Sequence, residues 1–184
     1  MTQTEWRNIP YEQKDLVLSI PYKIGVWLSH RDEQGDVKAD DIENEALVEI
    51  IAYLAKDKTS TPFVTDVFQD TIKARPDWPS WDCREESVMR DCRAAMDIVR
   101  KNVPEEEYNS FREALLTVAE VVAQAYGEFG GSHEGDGTSW GDLVKNALER
   151  LKGHAYVNMD RPFNISPAEE EAIGELKKVL YQSG

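Results

Sequence analysis

Asp32, Asp36, Asp40 and Glu43, with Gln34 among them, set hard oxygen donors at two- to four-residue steps along the stretch SHRDEQGDVKADDIE. Carboxylate and carbonyl oxygens at such spacing are what Ca²⁺ or Mg²⁺ take as ligands. Counted as a twelve-residue calcium loop, Asp32, Gln34, Asp36, Asp40 and Glu43 fall on ligand positions 1, 3, 5, 9 and 12. The glycine required at position 6 is Val37, and Gly35 comes two residues early. The loop therefore cannot make that motif's sharp turn. Divalent-cation binding at Asp32, Asp36, Asp40 and Glu43 remains the sharpest chemistry in the chain, set against a solvated turn whose acids favour the positive end of the next helix.

Other chemistry is weaker. His30, His133 and His154 fall in or near polar turns, beside Asp32, Glu134 and Asp136. Zinc would need His30 and His133 to approach one another; three unrelated surface histidines need nothing. The segment GGSHEGDG (Gly130 to Gly137) lacks the Gly-Lys-Ser/Thr ending of a phosphate loop. No serine nucleophile elbow, HExxH or GxGxxG occurs. Among 35 acids nothing singles out a carboxylate pair for proton transfer. The chain reads as a non-enzyme.

Charge narrows the partners. Thirty-five acidic residues against 21 basic ones leave a net charge of −14, which repels phosphate backbones and anionic lipid surfaces. Nucleic acid is disfavoured; cations and basic protein partners are favoured. The most apolar stretch, Leu16 to Ser29, is too short to span a bilayer and is interrupted by Pro21 and Lys23. Membrane insertion is not expected, and a cytoplasmic location is. Cys83 and Cys92 lie nine residues apart in what reads as one helix, about 13 Å along its axis, too far for a disulfide.

The elements that must position these groups are helical. Leu16, Ile20, Ile24, Trp27 and Leu28 predict a first helix from about Glu12 to His30, with Pro21 kinking it or setting a late start. Ile42, Ala46, Leu47, Ile50, Ile51 and Leu54 predict a second, from about Ala39 to Lys56. Phe63, Val67, Phe68 and Ile72 mark a short helix stopped by Arg75-Pro-Asp-Trp-Pro-Ser-Trp, whose Trp78 and Trp81 read as an apolar plug or as an aromatic platform. Asp82 with Glu85, Pro104 with Glu105 to Glu107, and Ser166-Pro167-Ala168-Glu169 each read as helix starts. The last two open helices reaching about Phe129 and Tyr181. Between them, Ser139 and Asp142 open a further one. No segment of useful length alternates with period two, so the fold class is all-α, with about seven helices.

Two segments align without gaps. Leu18 to His30 (LSIPYKIGVWLSH) lies over Leu116 to Glu128 (LTVAEVVAQAYGE), and Val37 to Glu43 (VKADDIE) over Ile165 to Glu171 (ISPAEEE). The order is the same twice: apolar helix, polar turn, acid-rich helix start. This predicts one domain, 1–184, with a first hairpin at about 12–56, intervening helices at about 63–102, and a second hairpin at about 105–181 carrying an insertion at 130–164. Duplicated hairpins commonly pack across a pseudo-two-fold.

At these residues the chain resembles the TerB-like family of tellurite-resistance proteins. Ser29 to Glu43 carries one version of the pattern, and Asn164 to Leu180 (NISPAEEEAIGELKKVL) the second half of the other. The extended first turn and the 35 residues from Gly130 to Asn164 depart from it. The resemblance implies an all-helical bundle and a non-catalytic role in stress- or metal-resistance assemblies, through protein partners and an acidic cation-binding surface. The alternative is a small-ligand binder or enzyme using a cleft between the hairpins near 130–164. Oligomeric state is left open, a homodimer included.

Overall fold

The computed structural model describes residues 5–31, 37–129, 144–145, 148–149 and 166–182, with 37–43, 125–129 and 182 described as helix backbone; these comprise six α-helices with described bounds, two short 3₁₀ turns, and the helical residues 144–145 and 148–149. The helices are α1 (Tyr11–Ser29), α2 (Val37–Leu54), α3 (Pro62–Lys73), α4 (Glu85–Asn102), α5 (Glu105–Phe129) and α6 (Pro167–Gln182). The 3₁₀ turns are Glu5–Asn8 and Arg75–Ser80. No strand occurs among the described residues, so the all-α reading stands.

α5 is the axis. Phe111, Leu115, Val118 and Val122, at three- and four-residue steps, are buried, and so are Ala114, Leu116, Ala119, Val121 and Ala123. Burial on so many sides follows from its neighbours: α1, α2, α3, α4 and α6 all pack against it. α1 lies between α5 and α4, and α2 packs chiefly on α5. A two-fold relation between hairpins would seat α6 on α1 as α2 sits on α5; α6 instead rests on α4 and α5 and only brushes α1. The two hairpins thus pack unequally.

Local signals explain most boundaries. α1 runs unbroken through Pro21, whose missing donor falls beside the place where α3 docks: the Thr71 hydroxyl donates to the Leu18 carbonyl at 2.7 Å. At α6 a reciprocal capping box forms, Ser166 N donating to Glu169 Oε2 at 2.9 Å and Glu169 N to Ser166 Oγ at 3.3 Å. Pro104 precedes α5 rather than opening it, its carbonyl accepting from Tyr108 N.

Two expectations are corrected. α4 begins at Glu85 with Arg84 as its cap residue, and Asp82 does not cap it. Asp82 accepts instead from the Arg84 backbone and guanidinium and from the Ser87 hydroxyl. This local turn competes with the helix for the same carboxylate. Cys83 consequently lies ahead of α4, not on it, and both cysteines are free.

The start of the chain carries a contact that periodicity did not flag. Trp6 in the first 3₁₀ turn is buried, packs edge-on against Phe63, and donates Nε1–H to Asp70 at 2.7 Å.

Candidate functional site

Asp32 and Asp36 lie outside the described residues; Asp40 and Glu43 fall in the first two turns of α2, with their side chains outside. His133 and His154 are likewise outside, while His30 is the exposed C-cap of α1. Among the described residues no group of three or more His, Cys, Asp or Glu is placed to hold a metal ion.

The aromatic turn is built as a plug. Trp78 is buried, stacks on Tyr22 with ring centroids 4.4 Å apart, and donates Nε1–H to the Thr71 carbonyl at 3.0 Å. Trp81 meets the edge of Tyr22. With its indole donor satisfied and its face covered, Trp78 offers nothing to a ligand. Cys92 is inert for the same reason, its thiol pushed up to about 12 by burial.

A groove of about 810 Å³ runs between the last turn of α2, the connector 55–61 and the N-terminal half of α5. One wall is a helical stripe on α5: Glu106, Ser110, Glu113, Thr117 and Glu120, at alternating four- and three-residue steps. The other is Tyr53, Leu54 and the connector residues Asp57, Thr59 and Ser60, and Leu148 contributes from the 130–164 segment. Among the described residues five carboxylates line the groove (Asp57, Glu105, Glu106, Glu113 and Glu120) and no Lys, Arg or His does.

The five are not equivalent. Asp57 shapes the connector: it accepts from Thr59 N at 2.9 Å, from the Thr59 hydroxyl at 2.8 Å and from the Ser60 hydroxyl at 3.2 Å. Glu113 accepts from the Tyr181 hydroxyl of α6 at 2.7 Å. Glu120 has Lys177 of α6 at 3.8 Å, beyond hydrogen-bond reach. Burial raises its carboxyl above the ordinary glutamate range, against the pull of Lys177 and with a further push from Glu113.

The α5 stripe is present in the sequence as period-3.6 polar positions, but such a stripe reads as a solvated face. Only the placement of α2 and the connector opposite it makes a groove. No helix among the described residues is long and apolar enough to cross a membrane. No family model, curated protein or solved structure matches the chain.

Proposed function

We propose that this protein is a non-catalytic interaction module that docks a basic, extended segment of a partner protein in the acidic groove between α2 and α5. The observation that carries this is the groove's lining: about 810 Å³ bounded, among the described residues, by five carboxylates and no basic side chain. Its volume falls in the range of binding clefts, and complementary charge would both steer a cationic partner and fix its register.

Spacing favours a chain of charges over a single ion. Glu106, Glu113 and Glu120 succeed one another every seven residues, about 10 Å apart along the helix axis. A segment in the extended polyproline-II conformation has three residues per turn and advances about 3.1 Å per residue, so a Lys or Arg at every third position stays on one face and repeats at about 9 Å. The location also agrees with a cleft between hairpins bordered by the 130–164 segment. The TerB-like resemblance supplies the setting, an assembly concerned with stress or metal resistance. In that setting Ca²⁺ or Mg²⁺ at the acidic turn from Asp32 to Glu43 is a further element of the proposal. A native-state ligand raises melting temperature, so an unchanged melting temperature at millimolar Ca²⁺ and Mg²⁺ removes it.

The groove is tested by calorimetric titration with a (Lys-Ser-Ser)₄ peptide at low salt, with (Glu-Ser-Ser)₄ as control. The lysine peptide binds, more weakly as salt rises. Glu113→Gln/Glu120→Gln weakens it by about five- to tenfold, as expected for two partly shielded charge pairs. Equal affinity for both peptides, or for wild type and the double variant, overturns the reading.

A further inference from the structure

Glu113, a carboxylate of the groove, is approached by two residues that do not line it, Tyr181 of α6 and its chain neighbour Arg112. The Tyr181 hydroxyl donates to Glu113 Oε1 at 2.7 Å, and Arg112 Nε lies 3.6 Å from the same oxygen, an ion pair beyond hydrogen-bond reach. Arg112 has little freedom. Its guanidinium lies over the Tyr181 ring at 4.1 Å and the Tyr108 ring at 5.8 Å, with the side chain 19% exposed. Its Nε–H is buried and has no acceptor among the described residues. Successive helix positions are about 100° apart, so Glu113 stands at the border between the groove and the Arg112 side of α5.

We infer that Tyr181 is a positioning residue for the groove: its hydroxyl holds Glu113 short of Arg112 and keeps that carboxylate's charge available to a cationic side chain of the partner. The inference rests on the groove being the docking site. It gives α6 a part in docking although Tyr181 does not line the cleft.

The two donors act differently on the carboxylate. A buried guanidinium N–H without an acceptor is unfavourable, so Arg112 draws the nearest carboxylate oxygen. Closing the remaining distance would form a charge-assisted hydrogen bond and cancel much of the charge that a lysine needs. A phenol hydroxyl holds the same oxygen and adds no charge. It also remains a donor at neutral pH: the hydrogen bond to Glu113, then burial, push the Tyr181 hydroxyl above the ordinary tyrosine value.

The experiment is calorimetric titration of the full chain with the (Lys-Ser-Ser)₄ peptide, in wild type, Tyr181→Phe, Arg112→Gln and the double variant. Phenylalanine keeps the ring beneath Arg112 and removes only the hydroxyl. Tyr181→Phe binds the peptide about threefold more weakly, in the range of a partly exposed charge pair. In the Arg112→Gln background the same substitution changes affinity little, because no cation competes for Glu113. NMR of the Arg112 Nε–H gives a readout that does not need the peptide. In Tyr181→Phe this proton moves downfield and exchanges more slowly as it bonds to Glu113, and Tyr181→Phe/Glu113→Gln abolishes the change. Wild-type affinity in Tyr181→Phe, an equal loss with and without Arg112, or an Arg112 Nε–H indifferent to the Tyr181 hydroxyl overturns the inference. The single variant with its Nε–H signal decides this even where Arg112→Gln does not fold. Failure of the peptide to bind wild type is a separate result: it removes the groove reading, and the docking role of Tyr181 with it.

Discussion

Lys23 Nζ lies 2.9 Å from Asp91 Oδ2, joining α1 to α4 with side chains only 9% and 13% exposed. Two charges taken so far out of water are tolerated because each has the other. The pair is lopsided, however. Asp91 also receives Arg90 at 3.0 Å, whereas Asp91 is the one carboxylate bonded to Lys23 among the described residues. Asp91→Ala therefore strands a buried ammonium and should cost about 3–5 kcal/mol in urea unfolding. Lys23→Met leaves Asp91 its arginine and should cost distinctly less. Equal losses would mean that Arg90 does not compensate.

Helix starts give a second prediction and show where sequence reasoning succeeds. Ser166→Ala should destabilise the protein by about 1 kcal/mol in thermal or urea melts, because it removes the acceptor for Glu169 N. Ser166→Asp should retain most of it. At Asp82 the same substitution to alanine should leave the start of α4 unchanged by amide chemical shifts, since Asp82 is not its cap.

Those two sites carry nearly the same sequence pattern, a capping residue with Glu three positions on, yet only one forms a capping box. The difference is a neighbour. Arg84 offers Asp82 both a backbone N–H and a guanidinium, at 3.1 and 2.7 Å, and the carboxylate is held well below its usual range by them. Core faces were more legible because burial obeys helical period alone: Val88, Cys92, Ala95, Met96 and Val99 of α4 are all buried, as their spacing requires. The groove was illegible for the converse reason. Glu106, Glu113 and Glu120 look like a solvated face until Asp57 to Ser60, some fifty residues earlier, stand across from them. Asp32 and Asp36, the sharpest residues of the sequence, lie outside the described residues.

Two helical glycines should respond to alanine with opposite signs. A Cβ on Gly25 would collide with Leu47 of α2, both Cδ atoms being too close, so the glycine is what lets α1 and α2 approach. Gly25→Ala should cost about 1–3 kcal/mol as overpacking. Combined with Leu47→Ala it should cost less than the sum of the singles, a coupling that a double-mutant cycle measures. Gly174 in α6 has nothing within 4 Å of an added Cβ. Gly174→Ala should stabilise by up to about 1 kcal/mol through helix propensity. A loss at Gly174 would mean that its neighbours leave less room than this.

Acidification should move stability and binding in opposite directions at Glu120. Its carboxyl is raised in the folded protein, chiefly by burial. A raised carboxyl contributes stability that is complete below the ordinary glutamate value and is lost as pH climbs through the folded value. A basic segment, by contrast, needs Glu120 ionised, so docking should weaken as pH falls through that same raised value and should release a proton at pH values between the bound and the unliganded midpoints. Glu120→Gln separates the two. At neutral pH it should leave melting temperature unchanged or higher, because Lys177 is half exposed and is not stranded by the change. It should also lower affinity for the lysine peptide and remove Glu120's share of the pH dependence. Calorimetry in two buffers of different ionisation enthalpy reads the proton count directly. If affinity for the peptide falls in Glu120→Gln while its pH profile remains that of wild type, then the titrating group behind that profile is another carboxylate of the groove, and Glu113, held by Tyr181, is the next to replace.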